Sequence, residues 1–393
     1  MRRSGNIENP DAEKTMRAIY AYEFDASNIN VQSGRPFSVL REMKRRGTDI
    51  VPVFPLEQRL QHLFLWKKIR YRLGEEVYRP DRESALLRSL AHQIERRVNG
   101  IAADFLFAPG SHAIAELDTP HPKVFCADAT FANVIDFYDT FTNCAPEFIR
   151  QGHAQDQKAL MNCAAAIYPS DWAARSAIEF YGVDPGKIHV IPFGANVEVH
   201  DAATVKGWID ARPFDRLDLL FVGRDWRRKG GDIVLAVCDH LSRAKVPVHL
   251  DIVGVTQTPV PLPPYARLHG LLDKNDPTDR RRLESLLAKA HFFFVPSRAE
   301  NYGMAFCEAA AYGVPSVTTN VGGIPTIVQH GRTGFTFAPD SPPDAFAEAI
   351  EGSFRSLDRY RDLARSSFAD YEKRLNWNAF GERFFEVVRQ IAG

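Results

Sequence analysis

Short apolar runs alternate with segments of helical periodicity along most of this chain, and they do so in two successive series. The first series comprises residues 18–22, 50–54, 105–108, 124–127, 166–169 and 188–192. The second comprises residues 217–222, 248–253, 267–268, 292–295 and 316–319. Runs this short and apolar, separated by helical patterns, are typical of buried parallel strands joined by crossover helices. The alternation therefore predicts an α/β protein with two doubly wound parallel sheets.

The two series also predict the domain organisation. Residues 17–205 carry the first series and residues 206–375 the second, and the stretch 193–215, which has few apolar residues, is interpreted as their connection. With 393 residues, 45% of them hydrophobic, the chain is long enough for two such cores. Residues 1–16 predict a mobile polar tail, and the apolar spacing in 378–391 predicts a final packing helix.

Composition argues against several functional classes. Lys and Arg together number 49, as do Asp and Glu, so the balanced charge gives no indication of a nucleic acid partner. The five cysteines show neither a C-x-x-C pair nor metal-ligand spacing, which predicts reduced thiols and no metal site. The N-terminus lacks the apolar core of a signal peptide, and no segment approaches the roughly 20 apolar residues needed to cross a bilayer. We therefore expect a cytoplasmic protein.

Two carboxylates flank a glycine-bearing turn in the segment 292–328. An apolar strand ends before Glu300, and a helix of small residues begins near Gly303 and continues through Met304, Ala305 and Glu308. The first N–H groups of a helix lack internal partners, so they stabilise a phosphate. Glu308 leans back toward that end and reaches a hydroxyl-rich group such as a ribose diol. Alternatively, both acids are ordinary residues favoured near a helix N-terminus by the dipole alone.

A second polar turn follows the strand 217–222. It contains Gly223, Arg224 and Lys229 and leads into a helix. An arginine can bind two phosphate oxygens at once, and a solvent-facing lysine adds a mobile charge as a leaving group becomes more negative. The alternative is a solvated basic turn, because Arg227 and Arg228 lie between these residues without an obvious role.

The segment 292–328 resembles the donor site of the glycosyltransferases of family 4, which are retaining GT-B enzymes. Twelve residues stand at matching spacings: Pro296, Ser297, Glu300, Gly303, Glu308, Ala309, Ala311, Gly313, Pro315, Val321, Gly322 and Gly323. So many matches in one stretch are far more specific than a lone glycine motif. Two departures concern the donor sugar: Asn301-Tyr302 replaces the usual Gly-Phe, and Thr326 stands where the family commonly has Glu.

The resemblance implies two Rossmann-like domains facing across a cleft, with a nucleoside diphosphate sugar as donor and no cofactor. It also implies that residues 376–393 cross back onto the first, acceptor-side domain. The implied donor-binding residues are Gly34, Gly223, Arg224, Lys229, Glu300, Asn301, Tyr302, Gly303, Met304, Ala305, Glu308 and Gly323. The implied catalytic residues are Arg224, Lys229 and Glu300, together with Asp128 on the acceptor side.

The acceptor side carries fewer signals. The loop after the first strand has only Gly34 before its helix, although the family usually has several glycines there. Asp128 stands where many relatives have a His-Asp pair, and it either accepts a hydrogen bond from a sugar hydroxyl or caps a helix. His112 and His153 are further candidates, although a lone histidine is more often structural.

Residues 62–79 form a basic and aromatic stretch. It either lies on an anionic membrane surface, which would make the protein peripheral to the inner face of the membrane, or packs its apolar face on the sheet as an ordinary amphipathic helix. Glu75 and Glu76 dilute its charge.

Taken together, the sequence predicts a retaining glycosyl transfer from a nucleotide sugar to an acceptor that is a glycan, a lipid-linked sugar or a small molecule. No D-x-D motif occurs, so we expect no metal requirement. Three alternatives remain open: a sugar-nucleotide epimerase, a phosphorylase that would need pyridoxal phosphate, and a non-catalytic protein that binds nucleotide sugars.

Overall fold

The computed structural model describes residues 15–392, apart from the side chain of Arg59. Most of the predicted tail, residues 1–14, therefore lies outside the described part. The strands are β1 Arg17–Ala21, β2 Asp49–Val53, β3 Phe105–Ala108, β4 Lys123–Cys126, β5 Ala165–Tyr168, β6 Ile188–Val190, β7 Leu217–Val222, β8 Val248–Val253, β9 Ala266–Gly270, β10 Phe292–Val295, β11 Ser316–Thr319 and β12 Gly334–Phe337.

The α-helices follow the strands in the predicted alternation. They are α1 Arg35–Arg45, α2 Leu65–Leu73, α3 Ser84–Val98, α4 Phe131–Val134, α5 Pro146–Asn162, α6 Asp171–Glu179, α7 Ala202–Ala211, α8 Gly231–Arg243, α9 Pro277–Lys289, α10 Met304–Ala311, α11 Ile324–Ile327, α12 Pro343–Phe354, α13 Leu357–Arg374 and α14 Trp377–Ala392. Short 3-10 turns precede several of them, including one at Val31–Gly34 before α1.

Within residues 15–392 the strands form two sheets of six parallel strands each. Their orders are β2-β1-β3-β4-β5-β6 and β12-β11-β10-β7-β8-β9. The prediction of two doubly wound parallel sheets is thus confirmed. In each sheet the order changes direction at one place, between β1 and β3 and between β7 and β10. Ligands of open α/β sheets bind at such switch points, beyond the carboxyl ends of the strands.

The central strands are buried on both faces, as strands covered by helices on both sides must be. All four residues of β3 and all four of β10 are inaccessible to solvent. On one face of β10, the ring of Phe293 meets that of Phe306 from α10 edge-on at 5.5 Å. The alanines of α10 let this helix approach the sheet closely.

Two parts of the fold differ from the sequence prediction. The strand β12 was not predicted, because it is short, begins at Gly334 and leaves half of its residues only partly buried. The predicted connection 193–215 contains the helix α7, in which only Val205 and Ile209 are buried. A helix with so few inward residues has a weak apolar period, so the sequence did not predict a helix within this connection.

The chain passes between the two sheets twice, and the two crossings touch. The Ala195 N–H donates to the carbonyl of Leu375 at 3.2 Å. At Gly194 a Cβ would lie 2.3 Å from the Trp377 nitrogen, so only glycine allows this approach. Beyond the crossing, α14 packs on the first sheet, where Phe384 contacts Phe107 at 5.5 Å between ring centroids. The last helix is therefore part of the first domain's core.

Among the described helices, none combines the length and the apolar character that crossing a bilayer requires.

Candidate functional site

The loops that follow β7 and β10 meet at the switch point of the second sheet. Lys229, from the first loop, donates to the carboxylate of Glu300, from the second. Arg228 lies 3.7 Å from the same carboxylate. Only 12% of the Lys229 side chain and 13% of that of Glu300 are exposed, so the expectation of a solvent-facing lysine was wrong. The two candidate residues form one ion pair that is largely shielded from solvent.

Arg228 and Tyr138 fix the position of the Glu300 loop. Arg228 donates to the carbonyl of Ala299 at 2.9 Å, and its guanidinium lies 5.4 Å from the centre of the Tyr138 ring. The Tyr138 hydroxyl accepts the N–H of Asn301 at 2.7 Å. Burial raises the pKa of Tyr138, so its hydroxyl stays protonated at neutral pH. Tyr138 comes from the first domain, so this contact spans the two halves of the chain.

The helix α10 begins where the sequence predicts. Gly303 has φ of 93°, a left-handed conformation that favours glycine, and it directly precedes Met304. Within the described residues, no side chain caps this helix end, so its first N–H groups remain available to an anion. Glu308 is buried one turn further on, and its Oε1 lies 2.5 Å from Nζ of Lys274. The second carboxylate oxygen of Glu308 is left for another partner.

A second helix N-terminus faces the same region. Gly34 precedes α1 in a left-handed conformation, and so do Gln32 and Ser33, which bear side chains. The amide nitrogen of Asn196 donates to the carbonyl of Ser33 at 2.7 Å and lies 3.9 Å from the sulfur of Met304. Asn196 therefore connects the start of α1 to the start of α10. Non-glycine residues held in strained conformations cluster at functional sites.

The other predicted donor residues occupy different positions around this centre. Arg224 is exposed and forms no hydrogen bond or ion pair within the described chain. Gly223 packs against the side chain of Lys229, and Gly323 packs against the carbonyl of Asn301. The Tyr302 side chain is buried and donates to the carbonyl of Phe193 at 3.0 Å. Only the backbone of Tyr302 is therefore placed for a ligand, while Met304 and Ala305 form the first turn of α10.

Asp128 lies beyond the carboxyl end of β4, and about half of its side chain is exposed. Its carboxylate accepts a hydrogen bond from the buried Arg35 at 3.2 Å. The cap of the following helix α4 is Thr130, whose hydroxyl accepts the N–H of Asn133. The alternative of Asp128 as a helix cap is therefore wrong, and its carboxylate is left facing solvent.

His112 and Glu23 form a pair that the sequence did not suggest. His112 follows β3 and Glu23 follows β1, and His112 Nδ1 lies 3.7 Å from Glu23 Oε1. Burial raises the pKa of Glu23 to about 7. Burial, together with the nearby positive charge of Arg82, lowers the pKa of His112 to about 4. The pair occupies the switch point of the first sheet, and near neutral pH Glu23 exchanges a proton.

His153 lies elsewhere, on α5. Its Nδ1 is 3.1 Å from the Tyr181 hydroxyl, and its ring stacks on Phe180. These are packing contacts, and the structure does not bring His153 to the other candidate residues.

A cavity of about 400 Å³ opens between the two domains beside Lys274. It is lined by Ser27, Asn28, Ile29 and Phe37 from the first domain and by Lys274, Asn275 and Arg280 from the second. In the described residues, no three His, Cys, Asp or Glu side chains converge in a way that could hold a metal ion.

The chain is similar to known proteins in sequence and in fold. Residues 216–355 match the family described as "Glycosyl transferases group 1". The D-inositol 3-phosphate glycosyltransferase 2 of Catenulispora acidiphila is 29% identical over 228 residues, covering 54% of this chain and 53% of that protein. The corresponding enzyme of Xylanimonas cellulosilytica is 29% identical over 229 residues, covering 55% and 54%. The chain thus spans about half the length of these curated relatives.

Solved structures share the fold over nearly the whole chain. The sucrose-phosphate synthase of Thermosynechococcus elongatus superposes with a TM-score of 0.67 at 16% identity, covering 96% of this chain and 99% of that one. HepE of Anabaena, solved in complex with UDP and glucose, gives a TM-score of 0.62 at 14% identity, covering 96% and 100%. In its two-domain fold, and in the sequence of its second domain, this chain resembles the GT-B glycosyltransferases of family 4.

Proposed function

We propose that this protein is a glycosyltransferase that moves a sugar from a nucleoside diphosphate sugar to an acceptor with retention of configuration. One observation carries the proposal. An uncapped helix N-terminus at the switch point of the second sheet is flanked by a Lys229–Glu300 pair and by Glu308, in the segment that matches the glycosyltransferase family. In this proposal residues 206–375 bind the donor, residues 17–205 bind the acceptor, and residues 376–393 complete the first domain.

The donor's diphosphate is assigned to the start of α10. The N–H groups of Gly303, Met304 and Ala305 contribute the positive end of the helix dipole. Lys229 adds a fixed charge, and the exposed Arg224 adds one that can move onto the phosphates. Glu308 Oε2 accepts from the ribose diol while Lys274 holds Oε1. HepE, which shares this fold, has been solved with UDP-glucose, which supports a UDP sugar as the first donor to test.

Glu300 and Asn301 are assigned to the transferred sugar. The Glu300 carboxylate accepts a hydrogen bond from Lys229, and its oxygens are assigned to accept hydrogen bonds from sugar hydroxyls as well. Gly223 and Gly323 pack against Lys229 and Asn301 and hold these two groups at the proposed donor site. Gly34, at the start of α1, presents a second helix N-terminus toward the same cleft.

Retention requires departure of the diphosphate and attack of the acceptor on the same face of the sugar. The bond from the anomeric carbon to the phosphate oxygen breaks, the acceptor oxygen bonds to that carbon, and the acceptor proton passes to the leaving phosphate oxygen. The negative charge on the diphosphate grows as the glycosidic bond breaks. Lys229 and Arg224 stabilise that charge, so they act mainly in the transition state. We propose that no metal ion is needed.

The acceptor is assigned to the carboxyl edge of the first sheet. Asp128 presents a partly exposed carboxylate there, and Glu23 with His112 lies deeper at the same edge. These groups are suited to binding hydroxyl groups.

The experiment is a screen of UDP-, GDP- and ADP-sugars, first by thermal shift and then by turnover. A ligand that binds only the folded state raises the melting temperature of the protein. We expect one donor to stabilise the protein and, with an acceptor, to yield free nucleoside diphosphate and a new glycoside of retained configuration. Lys229→Ala should lower turnover by about 10²-fold or more, and Arg227→Ala, at an exposed neighbour, is the matched control.

The alternatives give different products. An epimerase would change the sugar without releasing the nucleotide, and a phosphorylase would need inorganic phosphate and pyridoxal phosphate. Saturable donor binding with no product for any acceptor would favour a non-catalytic binding protein.

A further inference from the structure

The helix α2 presents its apolar residues to solvent. Leu65, Trp66, Ile69 and Leu73 are between 52% and 84% exposed, and α2 contains no buried residue. The expectation that an amphipathic helix here would pack its apolar face on the sheet is therefore wrong. The four residues, called the α2 stripe below, lie on one face because positions separated by one or two turns share a face.

Polar contacts on the opposite face fix this orientation. Lys67 turns inward, where its Nζ lies 2.7 Å from Glu83 and 2.5 Å from Glu147. Tyr71 donates to Glu147 at 2.8 Å and stacks on Tyr78 at 5.1 Å between ring centroids. Rotating the stripe into the protein would break both ion pairs and expose two tyrosine rings. The outward position of the stripe is thus built into the fold.

Cations border the stripe. Lys68, Arg70 and Arg72 are exposed, and none of the three forms an ion pair with another residue in 15–392. The acids Glu75 and Glu76 lie beyond the end of the helix and outside the stripe. A solvated apolar strip with unpaired cations beside it is unusual for a soluble helix, whose outer face is normally polar.

We propose that the α2 stripe docks on an anionic lipid bilayer. Trp66, Ile69 and Leu73 enter the boundary between headgroups and acyl chains, while Lys68, Arg70 and Arg72 meet the lipid phosphates. Charge complementarity selects this partner over a second copy of the chain, because a symmetric contact through α2 would set the same cations against one another. The proposal goes beyond the glycosyl transfer proposed above and does not depend on it.

The docking surface is linked to the candidate cleft through a small apolar cluster. Tyr71 and Tyr138 both pack against the cluster that contains Phe131 and Phe148. Tyr138 in turn accepts the N–H of Asn301 in the proposed donor loop. The α2 stripe is thus connected to the proposed donor loop through Tyr71, this cluster and Tyr138.

Cosedimentation of the whole chain with vesicles, without any nucleotide sugar, tests this proposal. We expect binding to vesicles of equal parts phosphatidylglycerol and phosphatidylcholine, little binding to pure phosphatidylcholine, and weakening as salt rises. The variant Trp66→Ser/Ile69→Ser/Leu73→Ser should bind at least tenfold more weakly. The matched control, Met161→Ser/Val199→Ser/Val260→Ser, removes three exposed apolar residues elsewhere and should bind like the original protein.

A second variant, Lys68→Gln/Arg70→Gln/Arg72→Gln, tests the electrostatic part and keeps the apolar stripe. It should lose the preference for anionic vesicles, and its melting temperature should match that of the original protein. Absence of binding to anionic vesicles, or equal binding by the stripe variant, would overturn the proposal. So would a dimer in solution that the stripe variant dissociates while vesicle binding is absent, because the stripe would then belong to an interface between copies.

Discussion

The ammonium of Lys229 contacts the carboxylate of Glu300, and both side chains are largely buried between two loops of the second sheet. The pair holds a cation next to the place where we assign the leaving diphosphate, and a carboxylate next to the assigned sugar. Buried ion pairs contribute less to stability than their geometry suggests, because both charges lose water. The pair is therefore better explained by organisation of the site than by stability.

Replacing Lys229 with alanine should lower kcat by about 10²-fold or more, the loss that follows removal of one preorganised donor. The variant should also unfold more easily, by about 1 to 3 kcal/mol, because Glu300 becomes a buried charge that keeps only Arg228 at 3.7 Å. Steady-state kinetics and urea unfolding measure the two effects. Arg227→Ala should change neither, and a Lys229 variant with normal kcat would remove this residue from the mechanism.

Glu308 should contribute to nucleotide binding and not to the chemical step. If its carboxylate accepts from a ribose diol, Glu308→Gln should weaken nucleoside diphosphate binding by about 1 to 3 kcal/mol, the range for a hydrogen bond to a charged group. Isothermal titration calorimetry measures this, with Glu348→Gln on the exposed face of α12 as the control. Unchanged affinity in a folded Glu308 variant would rule out the assignment.

Glu23 should make stability depend on pH. Its pKa is about 7 in the folded protein against an ordinary 4.5, because burial disfavours the charged form. Between these values the unfolded chain ionises while the folded chain keeps its proton, so the free energy of unfolding decreases as pH rises. Relative to its value below pH 4.5, the free energy of unfolding is lower by about 3 kcal/mol above pH 7.

Glu23→Gln removes this titration and leaves His112 in place. Relative to the original protein, the variant should therefore gain about 3 kcal/mol between pH 4.5 and pH 8, as measured by denaturant unfolding across that range. A difference between the two proteins that does not vary with pH would show that Glu23 titrates normally.

Transfer should continue after metal removal, because we assign the charge of the diphosphate to Lys229, Arg224 and the start of α10. Product formation in the presence of excess EDTA should match that without it. Activity that EDTA abolishes and Mn²⁺ restores would show that a divalent cation carries part of the charge and that this assignment is incomplete.

Local patterns in the sequence were sufficient to predict the architecture and the start of α10. The period of the apolar runs located the strands around the two switch points, and Gly303 marked the start of α10 correctly. The strand β12 and the helix α7 were missed because each buries too few side chains to give a period. The predicted orientation of α2 was wrong for a different reason. The inward face of this helix is polar, and its partners Glu83 and Glu147 are distant in sequence.

The residues that the sequence did not identify lie at the candidate site because of contacts between distant positions. Tyr138 reaches Asn301, 163 positions away, and Lys274 reaches Glu308 from another loop. Arg228 looked like part of a solvated turn until its contact with the Ala299 carbonyl was known. Glu23 follows the first strand directly, and its place at the switch point was the one signal that could have identified it.

The adjacent crossings at Ala195 and Leu375 place the two connections between the domains side by side. If one domain rotates about these crossings, the displacement of any group grows with its distance from the axis. Asn196 follows Ala195 directly and lies 3.9 Å from Met304, so the start of α10 is close to the axis. Such a rotation would therefore move the outer rim of the cleft more than the start of α10, where we propose that the diphosphate binds. Such a rotation would let large acceptors enter and leave while the diphosphate stays bound.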